Sequence, residues 1–370
     1  MAPWTLPSHM SMFTGRYPSE HKITNKVIIT NSQEEVPANL SSISPGIKTL
    51  AEILKEKGYQ TAGFTGGAGL DSDFGFDRGF DVYEDDQNFG GFEDSVPQAI
   101  EWVKSNKDNK FFLFVHGYNV HGQYVPEEGY DNRFLDFEYK GNLTGSKREQ
   151  MELREEGISR GNIFLDSEDV NYLSSLYDEK VNRADGWVGV FLFEYENIDI
   201  ANKTIYIITS DHGEELYEHG RIDHGHSLYE ELVRVPLIIS TPELNSKVVI
   251  DKLVSNVDIL PTVLSLIGYS DKFDQNKIMY RERYLLASDY ESPASVYMET
   301  DYRYANHLRG VRSGDYKLIR DLEFGIEVVF NLRDDPAETS NIIDINQTEV
   351  IKLRDLLQEY LSSFNNEWSD

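Results

Sequence analysis

Short apolar runs alternate with helical segments along most of this chain, and that alternation constrains the fold more than any other feature. Phe111–Val115 is a continuous apolar run bounded by turns, and Thr204–Thr209 and Val235–Ser240 are runs of the same kind. Such runs predict strands that are buried on both faces. Strands that alternate with helices predict an α/β fold, with a mostly parallel sheet covered by helices on both faces.

The other elements of this part are predicted from apolar periodicity. They are helices over residues 47–57, 93–105 and 169–196, and a strand over residues 59–64. Residues 118–166 are polar, rich in Gly, Glu and Arg, and only weakly periodic. A segment of that length between core elements is uncommon unless it is a lid or a binding loop, and a lid or binding loop is therefore the prediction.

The pattern changes after about residue 272. Short strand-like runs occur at residues 284–287, 295–298, 310–312, 316–319 and 327–330, and a helical pattern covers residues 348–362. This predicts a small antiparallel subdomain packed on the main sheet. The chain is accordingly divided into a main α/β domain, residues 1–271, and a C-terminal subdomain, residues 272–370.

The charge balance excludes some partners. The 370 residues include 64 acidic and 35 basic ones, and the net charge is −29. A surface this negative repels nucleic acid and anionic membranes. Solubility is one interpretation of the charge, and adaptation to high salt is the other. The chain has no cysteine, no run long enough for a membrane helix and no visible signal peptide, so a cytoplasmic location is the default expectation.

A histidine-rich segment follows one of the predicted strands. Asp211 and His212 come directly after the run that ends at Thr209, and four of the nine histidines lie between His212 and His226. A carboxylate beside an imidazole suits a divalent cation. In open α/β sheets ligands gather beyond the carboxyl ends of the strands, where this segment would lie. The alternative is a turn with solvated histidines.

The start of the chain offers a hydroxyl group. Pro7 suits the first turn of a short helix, so Thr5 is expected to stand just before that helix. A nucleophilic hydroxyl or an oxyanion gains there from the free N–H groups and from the helix dipole. The alternative is that Thr5 only caps the helix.

Taken together, these segments resemble the sulfatase family. Residues 5–15 look like the signature in which a nucleophile precedes x-Pro-Ser-Arg and a Thr-Gly pair closes the motif, and residues 210–214 resemble the family's metal-binding turn. Further similar segments, in the family's order, are residues 74–81, 114–121, 228–238, 311–319 and 334–336. The resemblance implies the alkaline-phosphatase-like fold, a mostly parallel α/β sandwich, and the hydrolysis of sulfuric esters.

The resemblance also implies a metal site. Asp211 and His212 fall on metal ligands of the family, and Thr5 falls on the nucleophile that contacts the same ion. Relatives with two zinc ions use an additional Asp-x-x-x-His, and no aspartate here has a histidine four residues later. One oxygen-preferring ion is therefore expected, Ca²⁺ first, with Mg²⁺ or Mn²⁺ as alternatives.

Three more histidines match positions that act on the substrate. His9 falls on the arginine that supports the nucleophile and the metal. His121 falls on the histidine that holds the ester or leaving-group oxygen, and His224 falls where many relatives place a lysine or histidine against the sulfate or phosphate oxygens. The implied partner is a small-molecule or glycan ester of sulfate or phosphate. The alternative for His121 and His224 is an ordinary loop or surface position.

The sequence departs from the family at two points. Thr5 stands where sulfatases carry a Cys or Ser that is oxidised to formylglycine, and threonine cannot form that aldehyde. A phosphodiesterase, phosphonate monoester hydrolase or phosphotransferase with Thr5 as nucleophile is therefore the second interpretation. The family also begins with a buried strand ending in one or two aspartates, and no such strand precedes Thr5. An N-terminally incomplete domain is expected, and an inactive relative that binds anionic polymers or a partner is the third interpretation.

Overall fold

The computed structural model describes residues 1–24, 27–29, 35–37, 43–126, 132–160, 163–244, 246–269, 295–301, 307–345 and 347–365. The α-helices there are α1 Thr5–Thr14, α2 Pro18–His21, α3 Leu50–Glu56, α4 Phe92–Asn106, α5 Lys147–Arg160, α6 Ser167–Asn197, α7 Glu230–Val233, α8 Ile259–Leu266 and α9 Gln347–Asn365. The strands are β1 Val27–Ile29, β2 Glu35–Pro37, β3 Gln60–Phe64, β4 Val82–Glu84, β5 Phe111–Val115, β6 Tyr206–Thr209, β7 Glu215–Leu216, β8 Ile222–Asp223, β9 Leu237–Ser240, β10 Val296–Thr300, β11 Leu308–Ser313, β12 Tyr316–Asp321 and β13 Glu327–Asn331.

A parallel sheet forms the centre of the main domain. β3 lies between β4 and β5 and pairs with both in parallel, which confirms the predicted arrangement. The side chains of β5 alternate between two helical layers. Phe112 and Phe114 pack against the cluster of α1, α3 and α8, whereas Leu113 packs against α4 and α6. The sheet is therefore covered by helices on both faces, as predicted.

The pairing direction and the burial of strands β6 and β9 differ from the prediction. They pair with each other in antiparallel orientation. The prediction of full burial on both faces is wrong for β9, because Ile238 is 58% exposed and residues along the strand alternate between half-buried and exposed. Only one face of β9 is covered. The residues of β5 and β6 are half-buried throughout rather than fully buried.

The helices of the main domain begin and end at recognisable residues. The Thr49 side chain accepts a hydrogen bond from the backbone N–H of Glu52 at the start of α3, and Asp166 does the same for two N–H groups of α6. α1 ends at Gly15, whose φ of 65° is left-handed. α5 lies inside the predicted lid and was not predicted, because its polar sequence carries almost no apolar periodicity.

The C-terminal part contains the predicted antiparallel sheet. Its strand order is β10-β11-β12-β13, and α9 covers one face through Leu353 and Leu357, which pack with Val311 and Leu318. The main domain contacts this sheet. The Met1 ammonium donates a hydrogen bond to the Tyr297 carbonyl oxygen at 2.9 Å. The predicted strand at residues 284–287 and the boundary at residues 271 and 272 lie outside the described residues, so that division stays a prediction.

Candidate active site

Thr5 is the first residue of α1, and this corrects the expectation that it precedes the helix. The N-cap is Trp4, which makes no side-chain capping bond, so the interpretation of Thr5 as a mere cap is wrong. Thr5 is 6% exposed, and its Oγ1 lies 3.4 Å from Nε2 of His212. The hydroxyl is thus held at the positive end of a ten-residue helix and against an imidazole from a distant part of the chain.

The loop after β6 brings Asp211 and His212 to that hydroxyl. Ser8 on α1 donates its hydroxyl hydrogen to the Asp211 carbonyl oxygen at 2.7 Å, which ties the loop to the helix. Gly213 packs so closely on α7 that a Cβ atom there would lie 1.9 Å from the Glu231 carbonyl oxygen. Only glycine fits this turn, which explains why Gly follows Asp-His in the motif.

Asp211 presents one carboxylate oxygen to two imidazoles. Its Oδ2 lies 3.3 Å from Nδ1 of His9 and 3.4 Å from Nε2 of His212. Burial opposes ionisation of this carboxyl, but the electrostatic attraction of His212 and His9 outweighs burial and holds the pKa of Asp211 well below its usual range. Asp211 is therefore a carboxylate at neutral pH.

His212 has a defined donor side and a defined acceptor side. Its Nδ1 lies 2.8 Å from the Gly213 carbonyl oxygen, so the tautomer with the proton on Nδ1 donates there. Burial lowers the pKa of His212, which favours this neutral form. The lone pair of Nε2 then faces Asp211 and Thr5, where it can bind a cation or accept a proton.

A second group of side chains adjoins His212. The ring of His224 lies 4.3 Å from the ring of His212 and 4.9 Å from that of His121. Nδ1 of His224 lies 2.8 Å from Oε1 of Glu214 and 3.0 Å from Oδ1 of Asp223. His224 is 5% exposed, so the structure rules out the surface alternative for it.

Burial dominates the titration of this second group. Burial raises the pKa of Glu214 to about 7, and repulsion from Asp223 adds to the effect. Burial lowers the pKa of His121 to about 4, and the positive charge of His224 lowers it further. The structure brings all six residues proposed from the sequence into one continuous group: Thr5, His9, His121, Asp211, His212 and His224.

Sequence reasoning missed several members of this group. Arg154 of α5 reaches from the lid segment, and its Nη1 lies 3.2 Å from Oδ2 of Asp223. The Tyr118 hydroxyl accepts from the Gly69 N–H at 3.0 Å, and a Cβ atom at Gly69 would lie 2.9 Å from the methyl group of Thr5. Glu214 lies inside the histidine-rich motif and could have been included. Arg154 carried no signal, because its position depends on the fold of the lid.

The comparison with family models identifies the class of protein. The Sulfatase model matches residues 1–269, and a model described as N-sulphoglucosamine sulphohydrolase, C-terminal, matches residues 217–367. The chain belongs to the sulfatase family, within the alkaline-phosphatase-like superfamily, as the sequence resemblance predicts.

Individual relatives and solved structures agree with this assignment. The uncharacterized sulfatase YidJ of Escherichia coli K12 is 32% identical over 168 residues, which are 43% of this chain and 32% of that protein. The fold resembles BT4656, solved with its substrate D-glucosamine-2-N,6-O-disulfate, with a TM-score of 0.70 and 20% identity, covering 99% of this chain and 89% of that one. It also resembles the phosphonate monoester hydrolase of Agrobacterium radiobacter, with a TM-score of 0.68 and 17% identity, covering 99% and 87%.

The chain corresponds to only part of the length of these relatives. The chain spans 32%, 19% and 56% of the lengths of three known relatives, YidJ, mouse arylsulfatase K and an arylsulfatase of Clostridium perfringens. Within the described part of the chain, every helix is too short or too polar to cross a membrane.

The family generally uses a divalent metal ion, and the site contains donors that fit one. Asp211 supplies a buried carboxylate oxygen that lies 3.4 Å from His212 Nε2, and Thr5 Oγ1 lies 3.4 Å from the same nitrogen. Two oxygens and one imidazole nitrogen form a donor set that a divalent cation accepts.

Proposed function

We propose that this chain hydrolyses anionic esters in a metal-dependent reaction with Thr5 as the nucleophile. The observation that carries the proposal is the position of the Thr5 hydroxyl, which lies 3.4 Å from Nε2 of His212. The Asp211 carboxylate oxygen Oδ2 lies 3.4 Å from the same nitrogen. A hydroxyl, an acceptor nitrogen and a cation ligand at one place are the components that activation of a weak nucleophile requires.

Each side chain has a separate task in this proposal. Asp211, His212 and Thr5 would hold one divalent cation, with Ca²⁺, Mg²⁺ and Mn²⁺ as the candidates, and the ion would supply positive charge to the ester oxygens. The first turn of α1 also favours binding of the anionic ester, through its free N–H groups and the helix dipole. His121 and His224 lie beyond His212, where their N–H groups can contact the other ester oxygens.

The second candidate reaction is phosphoryl or phosphonyl transfer, and the identity of residue 5 favours it. In the first step the Thr5 hydroxyl gives its proton to water, its oxygen bonds to phosphorus, and the bond to the leaving oxygen breaks as that oxygen takes a proton from His121 or from water. In the second step a water molecule attacks phosphorus and gives up a proton, the bond to Thr5 breaks, and the Thr5 oxygen takes up a proton. A threonine has one hydroxyl and cannot form the aldehyde hydrate that expels sulfate. The fold itself occurs in phosphonate monoester hydrolases as well as in sulfatases.

The proposed substrates are small-molecule or glycan esters of sulfate or phosphate. A glucosamine disulfate is the substrate of BT4656, whose fold this chain shares. Because the chain carries a net charge of −29, a long polyanion would have to approach against repulsion. A short or singly substituted ester is therefore favoured.

The test compares kcat/KM for matched nitrophenyl sulfate, phosphodiester and phosphonate substrates. We expect turnover of the phosphorus esters to exceed that of the sulfate. Thr5→Ala should reduce kcat/KM by roughly a thousandfold or more, because the attacking oxygen is lost. Thr5→Ser should keep part of the activity, since serine supplies the same oxygen. Thr14→Ser, the same change at the other end of α1, should leave the rate unchanged.

Two outcomes would count against the proposal. Sulfate turnover that survives Thr5→Ala would show that Thr5 is not the nucleophile. Absence of turnover in the folded, metal-supplied protein on every substrate would favour the inactive binding protein instead.

A further inference from the structure

Phe89 is an exposed aromatic residue beside the proposed reaction centre. It belongs to the loop between β4 and α4, at the edge of the parallel sheet where the carboxyl ends of β3, β4 and β5 lie. Its ring centroid lies 5.0 Å from that of His121, the residue that the proposed function places against an ester oxygen. Phe89 is nevertheless 41% exposed. A large apolar ring therefore remains accessible next to the place that the alcohol part of an ester must reach.

The backbone of Phe89 is strained. Its φ is 64°, in the left-handed region that glycine and asparagine adopt far more readily than a bulky residue does. Asn88 precedes it and Gly90 follows it, so the residue types that suit this conformation stand on either side. Strain of this kind persists only where the surrounding structure holds it, and it is concentrated at sites that bind ligands.

Backbone contacts hold the loop on both sides of the ring. Gly90 donates its N–H to the Gly66 carbonyl oxygen at 3.1 Å and accepts a hydrogen bond from the Tyr118 N–H at 3.0 Å. Asn88 pairs with Gly67 in an isolated β-bridge. A Cβ atom at Gly66 would lie 2.2 Å from the Gly90 carbonyl oxygen, so the two segments fit closely only because residue 66 is glycine. These contacts fix the strained position without using the ring itself.

The ring of Phe89 has an aromatic neighbour and a cationic one. The ring centroid of Tyr118 lies 5.0 Å away in an edge-on arrangement. Nζ of Lys147, the first residue of α5, lies 5.8 Å from the Phe89 centroid, which is the distance of a cation–π contact. Lys147 is an exposed, flexible side chain. It can turn away, so the ring stays available to a flat ligand.

We propose that Phe89 is a binding platform for the ring of the ester's alcohol part, so that the site prefers esters of aryl or sugar alcohols over esters of open-chain alcohols. This inference rests on the proposed function, because it requires the ester oxygen to lie at His121. A ring that stacks on Phe89 buries apolar surface and makes the face contact that aromatic rings favour. An open-chain alcohol covers less of the platform. The alternative is that Phe89 only packs on His121 and orients it.

Three phosphonates serve as probes, because their C–P bond is not the bond that the proposed reaction breaks. Benzylphosphonate carries an aryl ring, the phosphonate analogue of glucose 6-phosphate carries a sugar ring, and ethylphosphonate carries no ring. Their affinities are measured by isothermal titration calorimetry on the full chain supplied with Mn²⁺. The measurement needs no turnover, so it tests the platform whether or not ester hydrolysis is observed.

Three variants separate the platform from a packing role. Phe89→Gly removes the ring and suits the left-handed backbone, so it should fold with a melting temperature within a few degrees of that of the unmodified chain or above it. Phe89→Tyr keeps a flat ring and should keep the preference for ring compounds. Phe324→Gly is the matched control, because Phe324 is a 70% exposed phenylalanine on the hairpin between β12 and β13.

We expect the unmodified chain to bind at least one ring phosphonate about tenfold more tightly than ethylphosphonate. Phe89→Gly should reduce this ratio to about two or less and leave the affinity for ethylphosphonate unchanged, whereas Phe89→Tyr and Phe324→Gly should keep the ratio. A preference for benzylphosphonate assigns an aryl alcohol, and a preference for the glucose analogue assigns a sugar.

Several results would overturn the platform. Equal affinities for the three phosphonates in the unmodified chain would do so without any variant, and so would the absence of binding of all three. Equal loss of all three in Phe89→Gly would show that Phe89 orients His121 instead, and an equal loss in Phe324→Gly would show that the effect is not local. A ring preference that depends on Phe89 in a chain that hydrolyses no ester would leave the platform in place and count against the proposed function.

Discussion

His21 makes the stability of this protein sensitive to mild acid. The side chain is 1% exposed, and Nδ1 accepts a hydrogen bond from the Ile23 N–H at 3.0 Å while Nε2 lies 3.1 Å from the Ser11 hydroxyl oxygen. Burial lowers the pKa of His21 to about 3, although a hydrogen bond to the Pro7 carbonyl oxygen partly opposes the shift. The imidazole is therefore neutral in the folded protein.

The size of the effect follows from the difference between the two states. The ordinary pKa of His21, 6.5, applies to the unfolded chain, so between pH 6.5 and 3 the unfolded chain binds more protons than the folded one. Stability from this group is complete above pH 6.5 and is lost as the pH falls. At about 1.4 kcal/mol per pKa unit, the loss between about pH 7.5 and about pH 5 is about 2 kcal/mol.

The assay measures the free energy of unfolding by urea denaturation at both pH values for the unmodified chain and for His21→Asn. The asparagine oxygen can replace Nδ1 as acceptor for Ile23, so the variant should fold, but it cannot be protonated. The difference in stability between the two proteins should change by about 2 kcal/mol over this pH range. Ser11→Ala removes a partner of the imidazole and keeps the imidazole, so its pH dependence should match the unmodified chain. A pH-independent difference for His21→Asn would refute the reasoning.

Two further predictions concern charge. Lys317 is fully buried, with Nζ 2.9 Å from Glu338 Oε1 and 3.1 Å from Glu230 Oε1. Glu230 also pairs with Arg312, so Lys317→Met should cost about 3–5 kcal/mol in urea denaturation mainly by leaving the buried Glu338 carboxylate without its cation. Lys352→Met, at an exposed position of α9, is its control and should cost less than about 0.5 kcal/mol, and a cost below about 1 kcal/mol for Lys317→Met would contradict the argument. The net charge of −29 predicts that the melting temperature rises from low to molar KCl, and a flat or falling curve would remove the case for salt adaptation.

The elements of the fold were largely predictable from local sequence. The apolar run 111–115 is a strand, and the helical pattern over residues 169–196 is α6 with bounds within two residues. These elements depend on side-chain periodicity and on caps such as Asp166, which operate over a few residues. α5 escaped prediction, because its helix presents no apolar stripe.

The pairing of the strands was harder to predict from the sequence. Nothing in the run 235–240 shows that it pairs antiparallel with β6 or that Ile238 faces outward. Strand direction and burial depend on what lies beside and above the strand. Those neighbours are contributed by distant parts of the chain.

The candidate site likewise combines local features, which the sequence predicts, with contacts between distant residues, which it does not. The sequence alone determined that Asp211 and His212 follow a strand and that Thr5 stands near a helix start, because each of these facts is local. Only the tertiary structure decided that Thr5 meets His212 at 3.4 Å, and that Arg154 from α5 balances Asp223. Charges, distances and pKa values in the site depend on groups that are far apart in the chain, and only the folded chain brings those groups together and removes water from around them.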